Sequence, residues 1–589
     1  MVLLLTSDLE KKFKKKNEKT LYAGDWILNN KLNPVNFSKH NKIFSSFWNN
    51  SSDVDRFGNI IFNLRKRIIN KLYIQLNKFH KIHYSKSEWT LILDPWLTYY
   101  LQSNYFRWLT ISQILKKYKK IRFIYFENIF FSAPLDQNEF MSNMFSSDKY
   151  NQYIFHRILR FFSKKNKKYI KFTNHKFIEQ KLKTNNKSIF KFSLKNIFFM
   201  LLSFFSKKNN YLIDLNCGVS AFFKLNLSLG QLPFKANYFF ENLDFLNNLK
   251  KDKINYNKIR ESIKLNLNKK NSFELFLSNY ITKDLPLVFI ENFNEINDFV
   301  NKVPFKPKII VSDIKFRHNT IFKFWLAKNL NEGKKLITSD HGGVIGNNTS
   351  KILLQDEISN FSTKWHKPLK KNTIQMPAIH LLKFINKRSI HKKHLLIVSN
   401  DYAKYPSYFH IGEMGGQILN QFQNVKDLYL NIPREIKANT LIKPFPLKNG
   451  WYSAARFRKF VKDEKQIINN HEFEKHQFNS KIILCTYPKT VFYQAMYSGP
   501  TILLYNRKFH REVKEIQKIM DVLKDANIAF EDPLEAAKHI KKIWFNTNDW
   551  WESQKVNKAK RKFYSNIAYC NKKSLKHWKN FLKKVHAST

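Results

Sequence analysis

Apolar residues in the second half of the chain form short continuous runs separated by longer stretches with helical spacing. The runs include HLLIVSN, TLIKPFP, KIILCT and PTILLYN, and the stretches between them include REVKEIQKIMDVLKDA, whose apolar residues share one helical face. Continuous apolar runs that alternate with amphipathic helices are typical of buried strands in a parallel sheet. This half of the chain therefore predicts a doubly wound α/β domain.

The first half repeats this pattern less regularly. Strands are predicted in LYAGDWIL, KKIRFIYF, YLIDLN, DLPLVFI and KPKIIVSDI, while EWTLILDPWLTYYLQSNYFRWLTISQIL is expected to start as a strand and continue as an aromatic-rich helix. Lysine- and asparagine-rich stretches at 164–195 and 247–270 are expected to be solvated helices or insertions. The predicted fold class is α/β, with two Rossmann-like doubly wound domains facing a cleft, helical insertions in the first domain and a C-terminal helix.

The polar segment FINKRSIHKK, residues 384–393, is the predicted boundary between the two halves. We expect an N-terminal α/β domain over residues 1–388, a second Rossmann-like domain over 389–550, and a C-terminal helix with a basic tail over 551–589. The length of 589 residues agrees with more than one domain, since single hydrophobic cores rarely grow beyond about 300 residues.

Charge is the most unusual feature of the composition. The chain carries 103 Lys and Arg residues against 45 Asp and Glu residues, a formal net charge of +58. Such a surplus suggests polyanionic partners, but codon bias that inflates Lys, Asn, Ile and Phe together is the competing explanation. The basic residues are spread along the whole chain and no nucleic-acid-binding module is recognisable, so a nucleic-acid partner is not expected.

Three further observations bear on the compartment. The cysteines, Cys217, Cys485 and Cys570, form neither a metal-ligand spacing nor a disulfide framework, which suits a reducing cytoplasm. The start, MVLLLTSDLEKKF, does not show the pattern of a cleaved signal peptide. The run IFFMLLSFF, residues 197–205, is shorter than the roughly 20 apolar residues that span a bilayer. A buried strand or helix is favoured for this run, with an interfacial membrane anchor as the alternative.

Candidate binding residues are those that follow the predicted strands, because open α/β sheets bind ligands at the carboxyl ends of their strands. The motif SDHGGVIG, residues 339–346, holds three of the chain's 13 glycines directly after such a strand. In the second half, Lys443 ends one strand, while Thr486 and Thr490 lie between another strand and the helix that follows. Backbone amides at a helix start together with a lysine suit a phosphate group. A helix cap at Thr490 and a solvated strand end at Lys443 are the structural alternatives.

Several motifs in a fixed order resemble a known family. CTYPKTVFYQAMYSGPTILLYN, VLKDANIAFEDPLEAAKHIKKIW and DWWESQKVNKAKRKF, together with LDPWLTYY, YFRW and DHGG, resemble the transferases of bacterial O-antigen loci over nearly the whole chain. More broadly, the pattern is similar to GT-B glycosyltransferases. This resemblance implies an acceptor site mostly on the first domain and a nucleotide-sugar site mostly on the second.

The resemblance also implies roles for individual residues. His341 would act as a general base or bind the donor phosphate, Asp340 would orient its ring, and Gly342 and Gly343 would let the donor approach closely. Gln494 replaces the glutamate that often holds a donor hydroxyl in GT-B enzymes, which leaves the donor open. On the acceptor side the candidates are Asp25, Asp94, Trp96 and Arg107. For Trp96 and Arg107, core packing and an ion pair are the competing interpretation.

The expected function is therefore a metal-independent glycosyltransferase of cell-surface polysaccharide biosynthesis, such as O-antigen or capsule. It would transfer a sugar from a nucleotide-activated donor to a saccharide or lipid-linked acceptor without a further cofactor. We expect it in the cytoplasm, peripheral to the anionic inner leaflet of the membrane. Two alternatives stay open: a polyol-phosphate transferase on the same fold, and a non-catalytic basic scaffold that binds polyanions.

Overall fold

The computed structural model describes residues 1–27, 41–45, 47–166, 169–177, 209–233, 240, 243–249, 256–343, 354–369, 373–385, 392–409, 412–446, 449–469, 473–510 and 512–588. Its strands form three parallel five-stranded sheets. The predicted α/β fold class is confirmed. The part of the chain before residue 388 builds two of the three sheets, where the sequence indicated one domain. The run at 197–205, Gly346 and residues 178–195 lie outside the described residues.

The first sheet has the strand order of a doubly wound Rossmann fold. Its strands are β1 (Val2–Leu5), β2 (Thr20–Tyr22), β3 (Asn41–Ile43), β4 (Lys120–Phe126) and β5 (Tyr169–His175), arranged as β3-β2-β1-β4-β5. The order reverses between β1 and β4, which creates a crevice at the carboxyl ends of those two strands. The helices α1 (Ser51–His80), α2 (Lys86–Lys117), α3 (Gln137–Ser146) and α4 (Asp148–Asn166) belong to this part of the chain.

The second sheet has its strands in sequential order. They are β6 (Tyr211–Asp214), β7 (Ile309–Ser312), β8 (Lys335–Thr338), β9 (Phe361–Lys364) and β10 (Thr373–Gln375). The helices between β6 and β7 are α5 (Val219–Ser228), α6 (Leu243–Asn248), α7 (Tyr256–Glu261), α8 (Ser272–Asp284) and α9 (Phe293–Asn301). Between β7 and β9 lie α10 (Lys315–His318), α11 (Thr320–Asn331) and α12 (Leu354–Ile358). This sheet has no reversal of order and therefore no crevice of its own.

The third sheet is again doubly wound. Its strands are β11 (His394–Val398), β12 (Thr440–Lys443), β13 (Ser480–Cys485), β14 (Thr501–Leu504) and β15 (Ala529–Phe530), in the order β12-β11-β13-β14-β15. The helices are α13 (Ile418–Asn431), α14 (Arg434–Ala438), α15 (Ser453–Phe457), α16 (Phe473–Asn479), α17 (Thr490–Ser498), α18 (Lys514–Asp525), α19 (Pro533–Ile543), α20 (Thr547–Trp551), α21 (Gln554–Asn566) and α22 (Ser574–Ala587). The order reverses between β11 and β13.

The strands and helices predicted for the second half are all present, but three predictions in the first half are wrong. EWTLILDPW is the beginning of helix α2, because a helix buried on nearly all sides shows no polar stripe to reveal its period. Ser85 and Glu88 start this helix by exchanging hydrogen bonds in a capping box. DLPLVFI contains a short 3-10 helix, Leu287–Phe289, in place of a strand. Residues 169–175 form β5, although a helix or insertion was expected there.

A buried ion pair network attaches the third sheet to the first. The ammonium of Lys404, which follows β11, lies 2.8 Å from the carboxylates of both Asp8 and Asp148. Beside it, the backbone amide of Phe409 donates to Oε1 of Gln102 in α2. Because a charge without its partner is costly to bury, this loop is held firmly against the first sheet.

Helix α22 returns from the third sheet to the second. Its residues Trp578, Leu582 and Val585 are buried against strand residues of the second sheet that include Ile213 and Val311. The indole of Trp578 also donates to the carbonyl of Pro377 at 2.8 Å. Among the described helices, none is both long and apolar enough to cross a bilayer.

Arg65 in α1 offers a test of how the first two sheets are joined. Its guanidinium is fully buried and contacts Asp94 of α2 and Glu357 of α12, the latter at 2.8 Å. Arg65→Met should lower the free energy of unfolding by about 3–5 kcal/mol, because two carboxylates lose their buried partner. Chemical denaturation monitored by tryptophan fluorescence measures this.

The control is Arg56→Met on the same helix, where the arginine is exposed and pairs with Asp53. Its cost should stay below about 1 kcal/mol. Equal costs for the two variants would contradict the structural role of Arg65.

Candidate functional site

A histidine–aspartate pair lies at the carboxyl end of the second sheet. Asp313 follows β7 directly and is 5% exposed, and His341 lies three residues after β8. The Nδ1 atom of His341 is 3.3 Å from Oδ1 of Asp313, while 47% of the histidine side chain is exposed. If Nδ1 carries the proton donated to Asp313, Nε2 keeps a lone pair for an external proton donor. This is the geometry of an oriented general base.

His341 and Asp313 border a polar cavity of about 240 Å³. Asp214, at the end of β6, accepts hydrogen bonds there from Lys315 and from the Ser312 hydroxyl, both at 2.9 Å. Burial raises the pKa of Asp214, and the positive charge of Lys315 acts in the opposite direction. The ends of β6, β7 and β8 thus supply two carboxylates, a lysine and an imidazole to one small space.

Asp340 does not orient His341, which corrects the role expected for it. Its carboxylate accepts the backbone N–H of Trp365 at 3.0 Å and the Gln355 amide at 3.3 Å, and it lies 3.6 Å from the Lys364 ammonium. These contacts fix the turn after β8. Asp313 orients the imidazole instead. Its position directly after a predicted strand was the signal that could have identified it.

Gly342 and Gly343 permit a close contact between the second and third sheets. The Gly343 amide donates to Oγ1 of Thr490 at 2.9 Å. A Cβ atom at Gly342 would lie 2.3 Å from the same oxygen, and one at Gly343 would lie 2.5 Å from the ring of Tyr493. Both distances are shorter than van der Waals contact, so only glycine lets the His341 turn pack on the start of α17.

Thr486 ties together the two strands at which the third sheet reverses its order. Its hydroxyl donates to the carbonyl of Val398 in β11 and accepts the amide of Asn400, both at 3.3 Å. The side chain is buried. Thr486 therefore shapes the crevice between β11 and β13 without opening into it.

Buried ionisable groups surround this crevice. Asp401 accepts the Ser453 hydroxyl at 2.6 Å, and Glu413 accepts the Gln421 amide at 2.7 Å. Burial raises the pKa of Asp401 to about 7 and that of Glu413 to about 8. Within the described chain, Oδ1 of Asp401 and Oε1 of Glu413 have no hydrogen-bond partner. Because an unsatisfied buried oxygen is costly, these two atoms mark the inner wall of the crevice as strained and polar.

Lys489 supplies a cation at the beginning of α17. It is the N-cap residue of that helix, and its ammonium lies 5.1 Å from the centre of the Tyr402 ring. Burial lowers the pKa of Lys489 to about 8, an effect that the charge of Glu413 partly opposes. The sequence motif around Thr490 contains Lys489, but sequence reasoning singled out only its neighbour.

Lys443 and Gln494 both have partners within the protein. Lys443 ends β12 with its ammonium 4.7 Å from the centre of the Phe473 ring, and burial lowers its pKa. The Gln494 amide nitrogen lies 2.6 Å from Nε2 of His380, which must accept because the amide only donates. Burial lowers the pKa of His380 to about 4, with repulsion from Lys383 and His341 contributing. His380, and with it Gln494, is therefore close enough to His341 for the two imidazoles to interact electrostatically.

The amino-acid sequence matches the family described as LIC12162 family transferase over residues 2–582. The chain belongs to that family. No curated protein matches it. Among solved structures, the crystal structure of MurG from Acinetobacter baumannii is similar at 10% sequence identity and a TM-score of 0.30. That alignment covers 52% of this chain and 82% of MurG, and the likeness is too weak to support an argument.

The candidate acceptor residues of this transferase are not gathered at the His341 turn. Asp94, Trp96 and Arg107 are all buried in α2, where Asp94 pairs with Arg65, Trp96 stacks on Tyr100 and Arg107 donates to Asn151. A substrate in the cavity beside His341 has no access to these three side chains, so the structure gives them packing roles.

Asp25 is the one acceptor candidate that is partly exposed. It lies against Gly416 at the contact between the first and third sheets, and burial raises its pKa.

In the part of the transferase that the structure describes, no group of three or more His, Cys, Asp and Glu side chains is placed to hold a metal ion.

The contact between the His341 turn and α17 can be tested at Gly343. Gly343→Ala should destabilise the protein by about 1–3 kcal/mol, because the new methyl group overlaps the buried ring of Tyr493. The measurement is the midpoint of thermal unfolding, which should fall.

Gly218→Ala is the matched control, since nothing lies within 4 Å of a Cβ atom at that position. A surface change of this kind should alter stability by less than about 0.5 kcal/mol. A Gly343→Ala variant as stable as the control would show that the turn does not pack on α17.

Proposed function

We propose that this transferase is a glycosyltransferase that moves a sugar from a nucleotide-activated donor to a hydroxyl of a saccharide or lipid-linked acceptor, in the synthesis of cell-surface polysaccharide. The observation that carries the proposal is the contact of the His341 turn with the start of α17. It packs the turn that carries the oriented imidazole against the helix start that carries Lys489. A general base and an anion site are the two functions that glycosyl transfer requires.

His341 removes the proton of the acceptor in this mechanism. Nε2 accepts the hydroxyl proton as the acceptor oxygen bonds to the anomeric carbon of the donor sugar. Asp313 stabilises the imidazolium that forms, since its carboxylate lies at Nδ1. The cavity beside His341 gives the acceptor hydroxyl a polar site.

The start of α17 stabilises the leaving group. As the bond between the anomeric carbon and the phosphate oxygen breaks, negative charge develops on the departing nucleotide. Lys489 and the amides at the start of the nine-residue helix α17 would bind that charge. Lys443 ends β12, which lies on the other side of β11 from β13, and adds positive potential there.

We place the protein in the cytoplasm at the inner face of the membrane, where lipid-linked acceptors are available. No metal is assigned to the reaction, since Lys489 and the helix start provide the charge at the leaving group.

The direct test begins with a thermal-shift screen of the nucleotides. The protein is then incubated with UDP-, GDP-, CDP-, CMP- and dTDP-linked sugars, and the products are identified by mass analysis. Phosphorus retained in the product would indicate a polyol-phosphate transferase, and the absence of donor turnover would indicate a binding protein.

The His341–Asp313 pair gives the first prediction for this activity. His341→Ala should lower kcat by about 100- to 10,000-fold with little change in stability, because it removes a half-exposed general base. Asp313→Asn should also lower kcat. Asp340→Asn should mainly lower the unfolding midpoint, because that carboxylate anchors Trp365 and Gln355.

His83→Ala serves as the control, since His83 is exposed outside the candidate site, and its kcat should match wild type. If Asp340→Asn lost turnover while Asp313→Asn kept it, the assignment of Asp313 would be wrong.

The pKa of Lys489 gives a second prediction. Because burial lowers that pKa to about 8, the ammonium should lose its proton as pH rises through 8, and donor affinity should fall over that range. Lys489→Arg should keep its affinity there, since arginine stays charged. Nucleotide binding by isothermal calorimetry from pH 7 to 9.5 measures both curves.

The comparison variant for this series is Lys443→Arg, which changes the lysine at the end of β12. If it flattened the pH dependence while Lys489→Arg left it unchanged, the phosphate site would belong to Lys443.

A further inference from the structure

A cationic groove separate from the transfer site lies between helices α4 and α8. The groove has a volume of about 640 Å³ and is lined by Arg160, Phe161 and Lys164 of α4 and by Asn279, Tyr280 and Lys283 of α8. The three cationic side chains are exposed. Among the described residues, none that lines the groove is a carboxylate.

The floor of this groove is fixed by buried contacts. The Arg157 guanidinium lies 3.8 Å from the centre of the Tyr280 ring and donates to Asp284 at 3.0 Å. Asp284 also accepts the hydroxyl of Tyr100 at 2.8 Å. The carboxylate next to Lys283 in the sequence is therefore already occupied, and its charge is balanced by Arg157.

The charges at the rim of the groove have no ionic partner among the residues that the structure describes. Arg160, Lys164 and Lys283 form no ion pair with any residue in the described ranges. Three unpaired cations around one concave surface attract an anion that carries several negative oxygens, and phosphate groups fit that requirement. The aromatic walls add apolar surface at the same place.

One neighbouring residue favours a membrane over a soluble phosphate. Tyr169 begins β5 just after α4 and is 57% exposed, and tyrosine is enriched where proteins meet the bilayer interface.

We propose that the groove between α4 and α8 binds the phosphate headgroups of an anionic lipid surface. The proposed function includes a membrane contact, and this groove would be the surface that makes it. The binding itself does not depend on the proposed function; only its biological purpose does. The groove would hold the protein at the bilayer and leave the cavity beside His341 for the acceptor.

Vesicle co-sedimentation of the full chain tests the proposal. The protein should bind vesicles of phosphatidylcholine mixed with phosphatidylglycerol and not vesicles of phosphatidylcholine alone, with binding that weakens as salt rises. The double variant Arg160→Glu with Lys164→Glu should bind at least about 30-fold more weakly, given about 1 kcal/mol for each well-placed cation. If that variant does not fold, Lys283→Glu on the opposite wall gives the same readout.

Lys514→Glu with Lys518→Glu is the matched control, because these exposed lysines have the same spacing on α18 and the same change of charge. If the control lost as much vesicle binding as the groove variant, the effect would come from net charge alone and the proposal would be wrong. Displacement from vesicles by soluble glycerol 3-phosphate would assign the groove to a free phosphate instead. Sugar transfer to a soluble acceptor should persist in every groove variant, so failure of vesicle binding and failure of the transferase proposal are distinguishable.

Discussion

The candidate site depends on one steric constraint, the contact of two glycines with the first turn of a helix. Gly342 and Gly343 bring the backbone after β8 onto Thr490 and Tyr493, closer than any side chain would allow. The second sheet carries the imidazole and the third carries the lysine and the helix start. Without this contact the two sets of groups would belong to separate surfaces. With it, the turn that carries the imidazole lies against the helix start that carries the lysine.

The strand ends explain why these groups are available at all. Parallel strands direct their carboxyl ends to one edge of a sheet. Residues after β6, β7 and β8 therefore converge at one edge of the second sheet, and residues after β11 and β13 at one edge of the third. Burial then modifies their chemistry. It raises the pKa of Asp401 and Glu413 and lowers that of Lys489, so that all three change charge near neutral pH.

Much of this arrangement could be predicted from the sequence, for identifiable reasons. Buried parallel strands are continuous apolar runs, so β11 to β14 were predicted from the pattern of apolar residues alone. Helix α2 was not, because a helix buried on nearly all sides has the same apolar composition as a buried strand. His341 was recognisable beside its glycines, whereas its partner Asp313 lies on another strand. Sequence proximity favoured Asp340, and only the fold shows that this carboxylate faces Trp365 and Gln355.

The position of α22 has a consequence for how the protein is made. One face of the second sheet is completed by Trp578, Leu582 and Val585 of this helix, which is synthesised long after strands β6 to β10. During translation that apolar face stays incompletely covered while the whole third sheet emerges from the ribosome. A nascent chain that exposes apolar surface is prone to aggregate. The second sheet, which carries His341, is completed only when this last helix packs on it.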